Sequence, residues 1–228
     1  MIIGKLVAVI LIGYLLGSIP FGVLVGKWWA KVDIRGYGSG RTGATNVLRV
    51  AGKKAAVLAA IFDLLKGLLA VVFAGLIFGG DYLVIGGSGL WWLARSAQVL
   101  AALAAMSGHK WPIFLKFKGG RSVATFFGGL FALCLPAALF GAEILILGAI
   151  LTRYVSLGSI AGTVGAFAIL IPLTIINGFP IEYLVYALIG TIFIIVVHRD
   201  NIDRLLAGKE HKFGERVKMG GSLPSTNP

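Results

Sequence analysis

Carboxylates are scarce in this chain: nine Asp and Glu stand against 21 Lys and Arg in 228 residues. Magnesium-assisted phosphoryl chemistry needs acids beside the phosphates. The first three basic segments hold only Asp33, and in the last one acids alternate with bases. A metal site is therefore not expected, and neither is any cofactor. Cysteine is almost missing as well. Cys134, alone in an apolar run, excludes a disulfide framework and a Cys-based metal site. Charged residues make up 13% of the chain, against about 25% in soluble domains. With 58% hydrophobic residues and a mean hydropathy of +0.93, the chain reads as an all-α integral membrane protein. What remains abundant is positive charge, a net +12. In a soluble protein that balance suggests nucleic acid. Here the cations sit in short loops between apolar segments, so the expected partners are phosphate-bearing small molecules or anionic membrane lipid, not nucleic acid.

A helix needs about 20 apolar residues to cross a bilayer. Residues 2–26, 55–79, 90–107, 155–177 and 181–198 are candidates. The first has Lys5 and a run too long for a secretory signal, with no small-residue cleavage site after it, so it is expected to remain as a helix. Residues 122–152 would be ~46 Å long as one helix, against a hydrocarbon core of about 30 Å. Two short helices broken near Pro136 would instead return the chain to its starting side. Charge decides between them. With seven spans, one face receives 27–54, 108–121, Arg153 and the C-terminal segment, which hold every Lys and Arg except Lys5, Lys66 and Arg95. The positive-inside rule then places the N-terminus outside and the C-terminus in the cytoplasm. The expected organisation is one transmembrane domain over 1–213 and a disordered cytoplasmic tail over 214–228. Gly13-xxx-Gly17, Gly22-xxx-Gly26 and Gly158-xxx-Gly162 supply faces for close helix packing. There is no internal repeat, and the sequence leaves the oligomeric state open, with a monomer one option.

Positions 36–46 read GYGSGRTGATN, the densest run of small residues between two apolar segments. Gly38-x-Gly40-x-x-Gly43 matches the dinucleotide fingerprint formally, but a membrane helix precedes it where a strand is required. Gly38-xxxx-Gly43-Ala44-Thr45 fails as a P-loop because Ala44 replaces the phosphate-gripping lysine. The physics of such loops still applies. Glycine lets backbone N–H groups approach an anion, and a helix start favours negative charge. Ser39, Thr42, Thr45 and Asn46 add short donors; Arg41 and Arg49 add charge-assisted ones. A tight interhelical turn and an anion cradle both fit this stretch taken alone.

Three further clusters fall on the same face. In GHKWPIFLKFKGGRSVAT (108–125), Lys116, Lys118 and Arg121 surround Gly119-Gly120, and Ser122 opens the next helix. Arg153-Tyr154-Val155-Ser156 is the third. In HRDNIDRLLAGKEHKF (198–213), His198 and Asn201 lie at i and i+3, one helical face, with Arg204 a further three residues on. A lipid anchor or an interfacial helix explains each cluster singly. Four together describe a polyanion site at the cytoplasmic surface. Asp63 and Lys66, at i and i+3 within the second span, read as a structural ion pair, although intramembrane charges are often functional. His109 is left between a structural and a site-supporting role, His211 reads as a solvated tail residue, and Glu143 has no assignment.

GSIPFG (17–22), GSGRTGATNVLR (38–49), the 108–125 segment, RYVSL (153–157) and HRDNIDRLLAGKE (198–210) resemble, in order and spacing, the motifs of a bacterial family. It is the small polytopic acyl-phosphate:glycerol-3-phosphate acyltransferase family. The resemblance spans nearly the whole chain except the last fifteen or so residues. It implies a seven-helix, multi-pass protein of the bacterial inner membrane with its active site facing the cytoplasm. The implied reaction is metal-independent acyl transfer from acyl phosphate to the 1-hydroxyl of glycerol 3-phosphate, giving lysophosphatidic acid for phospholipid synthesis. Carried onto this chain, it implies a phosphate pocket from Ser39, Arg49, Arg121 and Ser156, with Thr45, Asn46, Lys118, Gly119 and Gly120 in the binding loops. It sets His198 and Asn201 against the glycerol hydroxyls as catalytic residues. Three positions depart from the family pattern, which usually has Asn at Arg41, Lys at Arg121 and Gly at Ser122. Alternatives are an acyltransferase with another acceptor or donor, and an organic-phosphate transporter, although transporters usually show repeat halves and midplane sites. A non-enzymatic lipid anchor is a third; it would tolerate alanine at His198 and Asn201.

Overall fold

The computed structural model describes residues 2–84 and 91–214, with side chains 80–84 left aside. The tail expected over 214–228 therefore lies, from residue 215 onward, outside the described residues. The described chain is all-helical. Its helices are α1 (Ile2–Ser18), α2 (Phe21–Ala30), α3 (Ala44–Ala51), α4 (Lys53–Val84), α5 (Trp91–Lys110), α6 (Val123–Leu133), α7 (Leu135–Thr152), α8 (Val155–Ile175), α9 (Ile181–Val197) and α10 (Arg199–Leu206).

Among the described residues, Ile2–Ala30, Lys53–Gly79, Leu135–Thr152 and Val155–Ile175 are long and apolar enough to cross a membrane. α9 joined to α10 across a 59° bend would make a fifth. α5 contains Arg95, Gln98 and a His109-Lys110 end, and α6 has only 11 residues, so neither meets that test. The first candidate span is not one continuous helix. Pro20 lacks an N–H and disfavours helical backbone at the preceding residue, so α1 stops at Ser18 and α2 starts at Phe21. The break expected near Pro136 falls at Cys134, which is extended (φ −148°); Pro136 instead occupies the first turn of α7, where its missing N–H costs nothing.

Glycine sets how closely the helices approach. A Cβ at Gly13 or Gly17 would collide with the Ala101 or Ala105 carbonyl of α5, and one at Gly108 with the Tyr14 carbonyl of α1. Gly67 and Gly128 abut the Thr125 and Leu64 carbonyls between α4 and α6, and Gly141 and Gly158 do the same between α7 and α8. Gly22 and Gly26 pack on loop residues, Thr42 and Ile34, rather than on a helix. That contact seats the first glycine-rich loop against α2. The core around Phe126, Leu130, Tyr186 and Ile194 ties α5, α6, α8 and α9 together. Residues from all four cation clusters line one cavity.

Candidate active site

Asn46 organises the first loop. Its Nδ2 donates to the carbonyls of Ile34 (2.9 Å), Tyr37 (3.2 Å) and Arg41 (3.0 Å), and its Oδ1 accepts from Ser39 N (2.9 Å). Two N–H groups shared among three acceptors leave this amide no spare donor. Gly38 (φ +60°) and Gly40 (φ +66°) take the left-handed turns that let the loop wrap round it. Arg41, one of the departures from the family pattern, bridges to Asp200 of α10 at 2.8 Å and so straps the first cluster to the fourth.

The second loop is pinned by backbone. Gly119 N donates to Lys110 O (3.2 Å) and Gly120 N to His109 O (3.0 Å). Ser122 holds φ +61°, a conformation that favours glycine, and its hydroxyl donates to Met106 O at 2.7 Å. That bond compensates for the side chain at the position where the family usually has glycine. Arg121 follows the glycines. Burial, then the field of Arg41, hold its guanidinium down to about 10. Its buried Nε has no hydrogen-bond partner among the described residues.

The third and fourth clusters meet on Glu210. Its Oε1 accepts from Ser156 Oγ (2.8 Å) and Asn201 Nδ2 (2.6 Å), and its Oε2 from Arg204 Nε (2.7 Å). Gly208 (φ +65°) turns the chain back after α10 to bring the carboxylate there. Burial alone would raise this carboxyl; the bonds from Asn201, Ser156 and Arg204 outweigh it and lower it below its ordinary 4.5. A lowered carboxyl contributes stability that is complete above the unfolded value and is lost as pH falls through the folded one. Glu210→Gln is accordingly expected to lower the thermal midpoint at pH 7, the loss narrowing toward pH 4; equal midpoints at both pH values would remove the carboxylate charge from this role. Because a carboxylate only accepts, the Asn201 atom facing it is Nδ2, and Asn201 Oδ1 is left buried without a partner among the described residues. His198 closes the bend between α9 and α10, with Nδ1 2.7 Å from Ile194 O. A carbonyl cannot donate, so Nδ1 carries the proton and Nε2 keeps a lone pair.

A cavity of about 510 Å³ joins these pieces. Its polar wall includes Ser39, Thr45, Asn46, Arg49, Gly120, Arg121, Ser156, His198 and Asn201; its apolar wall, between α4, α6 and α7, includes Val57, Ile61, Phe131, Leu145 and Ile146. Two expected residues are not on it: Lys118 is exposed, and Gly119 is buried against the His109 carbonyl and Pro112. Glu210 and Asp63 line the cavity without having been expected there. His211, read as a solvated tail residue, lines it too, and His109, left between two roles, is on the wall as well. Glu210 ends the fifth motif (198–210) two residues after Gly208, the one sequence signal for it. The family model for glycerol-3-phosphate acyltransferase matches residues 7–208. The chain belongs to that family. It is 61% identical over 218 residues to glycerol-3-phosphate acyltransferase 3 of Dehalococcoides mccartyi, covering 96% of this chain and 100% of the relative. It is 44% identical over 204 residues to the glycerol-3-phosphate acyltransferase of a Synechococcus strain, covering 90% and 92%. Among solved structures it resembles PlsY, an integral membrane glycerol 3-phosphate acyltransferase, in its glycerol 3-phosphate form. That match has a TM-score of 0.78 and 40% identity, covering 92% of this chain and 96% of that one. The lysophosphatidic acid form of PlsY gives a TM-score of 0.76 at 38% identity, with the same coverage. This likeness to an integral membrane protein, with four helices long and apolar enough to cross a membrane among the described residues, makes the chain a multi-pass membrane protein.

Proposed function

We propose that this chain acylates the 1-hydroxyl of glycerol 3-phosphate from an acyl phosphate, releasing lysophosphatidate and inorganic phosphate without a metal. The observation that carries this reading is that two residues of one cavity wall each carry an orphaned buried group. Arg121 Nε is a donor without an acceptor, and Asn201 Oδ1 an acceptor without a donor. Each would cost about 1–3 kcal/mol left unmet. A phosphorylated polyol meets both, a phosphate oxygen at Arg121 and a hydroxyl at Asn201. The apolar wall between α4, α6 and α7 suits a fatty chain entering from the membrane.

An acyl phosphate is already activated. The glycerol oxygen attacks the acyl carbon, a C–O bond forms, and the bond from that carbon to the phosphate oxygen breaks. Alignment and charge compensation are then the main demands on the protein. Ser39, Arg49, Arg121 and Ser156 hold the acceptor phosphate, and His198 and Asn201 hold its hydroxyls. The hydroxyl proton goes to His198 Nε2 or to an oxygen of the departing phosphate. Metal independence fits the carboxylates nearby, since Glu210, Asp63 and Asp200 each face a cation of the protein. Seven spans, with the N-terminus outside and this cavity on the cytoplasmic side of the bacterial inner membrane, remain our reading of the charge distribution.

The direct test uses purified protein in lipid with labelled glycerol 3-phosphate and either palmitoyl phosphate or palmitoyl-CoA, each with and without chelator. Lysophosphatidate from the acyl phosphate alone, unaffected by chelator, is expected. Product from palmitoyl-CoA, or loss of activity on chelation, would overturn the donor or the metal-free reaction respectively.

A further inference from the structure

Three buried charged or titratable groups beneath the second loop have no part in the chemistry above. Asp63 and Lys66 of α4 are each 2% exposed, and His109 at the end of α5 is 6% exposed. Asp63 Oδ1 stands 2.9 Å from Lys66 Nζ, an ion pair, and 3.4 Å from Nδ1 of the buried His109 imidazole, a polar contact; neither is a well-directed hydrogen bond. Lys66 Nζ also donates to Ile19 O at 3.2 Å, at the break between α1 and α2. The broken first helix is thus tied to α4 and α5 through one carboxylate.

A bridge meant only to join helices would be complete with Asp63, Lys66 and Ile19. His109 does more. Its carbonyl receives Gly120 N, and its ring Nε2 occupies the place a Cβ at Gly120 would need. Both ends of the residue therefore press on the glycine that precedes Arg121. His109 and Asp63 also line the cavity. Buried ion pairs add little net stability against apolar replacements of similar volume, so their use here points toward specificity.

We infer that Asp63 and His109, braced by Lys66, are positioning residues that set where the Gly120 turn presents Arg121 to the acceptor phosphate. This rests on the acceptor reading given above. The relay touches no reacting atom and acts on one binding group, so its signature is confined to the acceptor.

The test is steady-state kinetics in lipid nanodiscs with varied glycerol 3-phosphate. His109→Ala is expected to raise the acceptor KM about tenfold, with kcat changed less than about threefold and the palmitoyl phosphate KM unmoved. In an Arg121→Ala background the same change should add less than about twofold, because the relay then has nothing left to position. If His109→Ala does not fold, the charge-neutral pair Asp63→Asn with Lys66→Met is read the same way. KM penalties that multiply independently, or that fall equally on both substrates, would overturn the relay while leaving the acceptor reading intact. Wild-type protein that makes no lysophosphatidate would overturn both.

Discussion

Arg121→Ala is expected to raise the half-saturating concentration of glycerol 3-phosphate by roughly 10- to 150-fold, the equivalent of a charge-assisted contact of about 1.5–3 kcal/mol. The expectation comes from burial and orphaning together. The guanidinium is held down to about 10 by desolvation and by Arg41, so it already carries the cost of standing in a dry, cationic place. Its Nε meets no acceptor among the described residues. A phosphate would relieve both, and alanine forfeits the whole gain. Arg121→Lys, which installs the residue the family usually has, should cost only a few-fold, since the charge stays and only the planar fork is lost. Steady-state KM values for acceptor and donor, measured on both variants, check this. An acceptor KM unchanged in the alanine variant would remove Arg121 from the phosphate site.

How far the sequence carried this site is seen best in single residues. Glycine turns, cations and helical spacing single out the clusters that hold Arg49, Arg121, His198 and Asn201, because those features are local. The roles of these residues and of Ser156 came from the family resemblance; all five line the one cavity. Asn46 was read as a donor to substrate, yet its amide is spent on Ile34, Tyr37 and Arg41. A short polar side chain in a glycine-rich loop has the same appearance whether it binds a ligand or folds the loop. Lys118 was expected in the site by proximity to two glycines, but the turn at Lys116 and Phe117, both with positive φ, leaves it exposed. Glu210 was missed for the opposite reason. Its partners Ser156 and Asn201 are 54 and 9 residues away, and alternating acids and bases in a tail look like solvated charge. The Asp63–Lys66 pair was legible at i and i+3, whereas His109, far away in sequence, reaches Asp63 through the packing of α5 on α4. For the fold, hydropathy found the apolar segments, and the break expected near Pro136 falls two residues earlier, at Cys134, whereas 2–26 was read as one span. Hydropathy could not tell that the chain breaks between α1 and α2 at Pro20, where Lys66 Nζ donates to Ile19 O.

His198→Ala is expected to lower kcat by roughly 10²- to 10⁴-fold, the range of a lost general base, while the acceptor KM changes far less. The side chain is 2% exposed, and its Nδ1–H is committed to Ile194 O, which fixes both the ring and the tautomer. Nε2 is then the one nitrogen able to take a proton, and His198 lies on the cavity wall with Asn201 one helical turn further on. Asn201 is itself oriented by Glu210, so a hydroxyl donating to Asn201 Oδ1 would be held beside the imidazole. The size of the loss separates the two proton routes. If the departing phosphate takes the proton, His198 contributes only a hydrogen bond, and the alanine variant should retain about a tenth of wild-type kcat. His198→Gln sharpens the distinction, because a glutamine amide can bond a hydroxyl but cannot accept its proton at neutral pH. Activity recovered by glutamine would assign the proton to the substrate; activity lost in both variants would assign it to His198 Nε2.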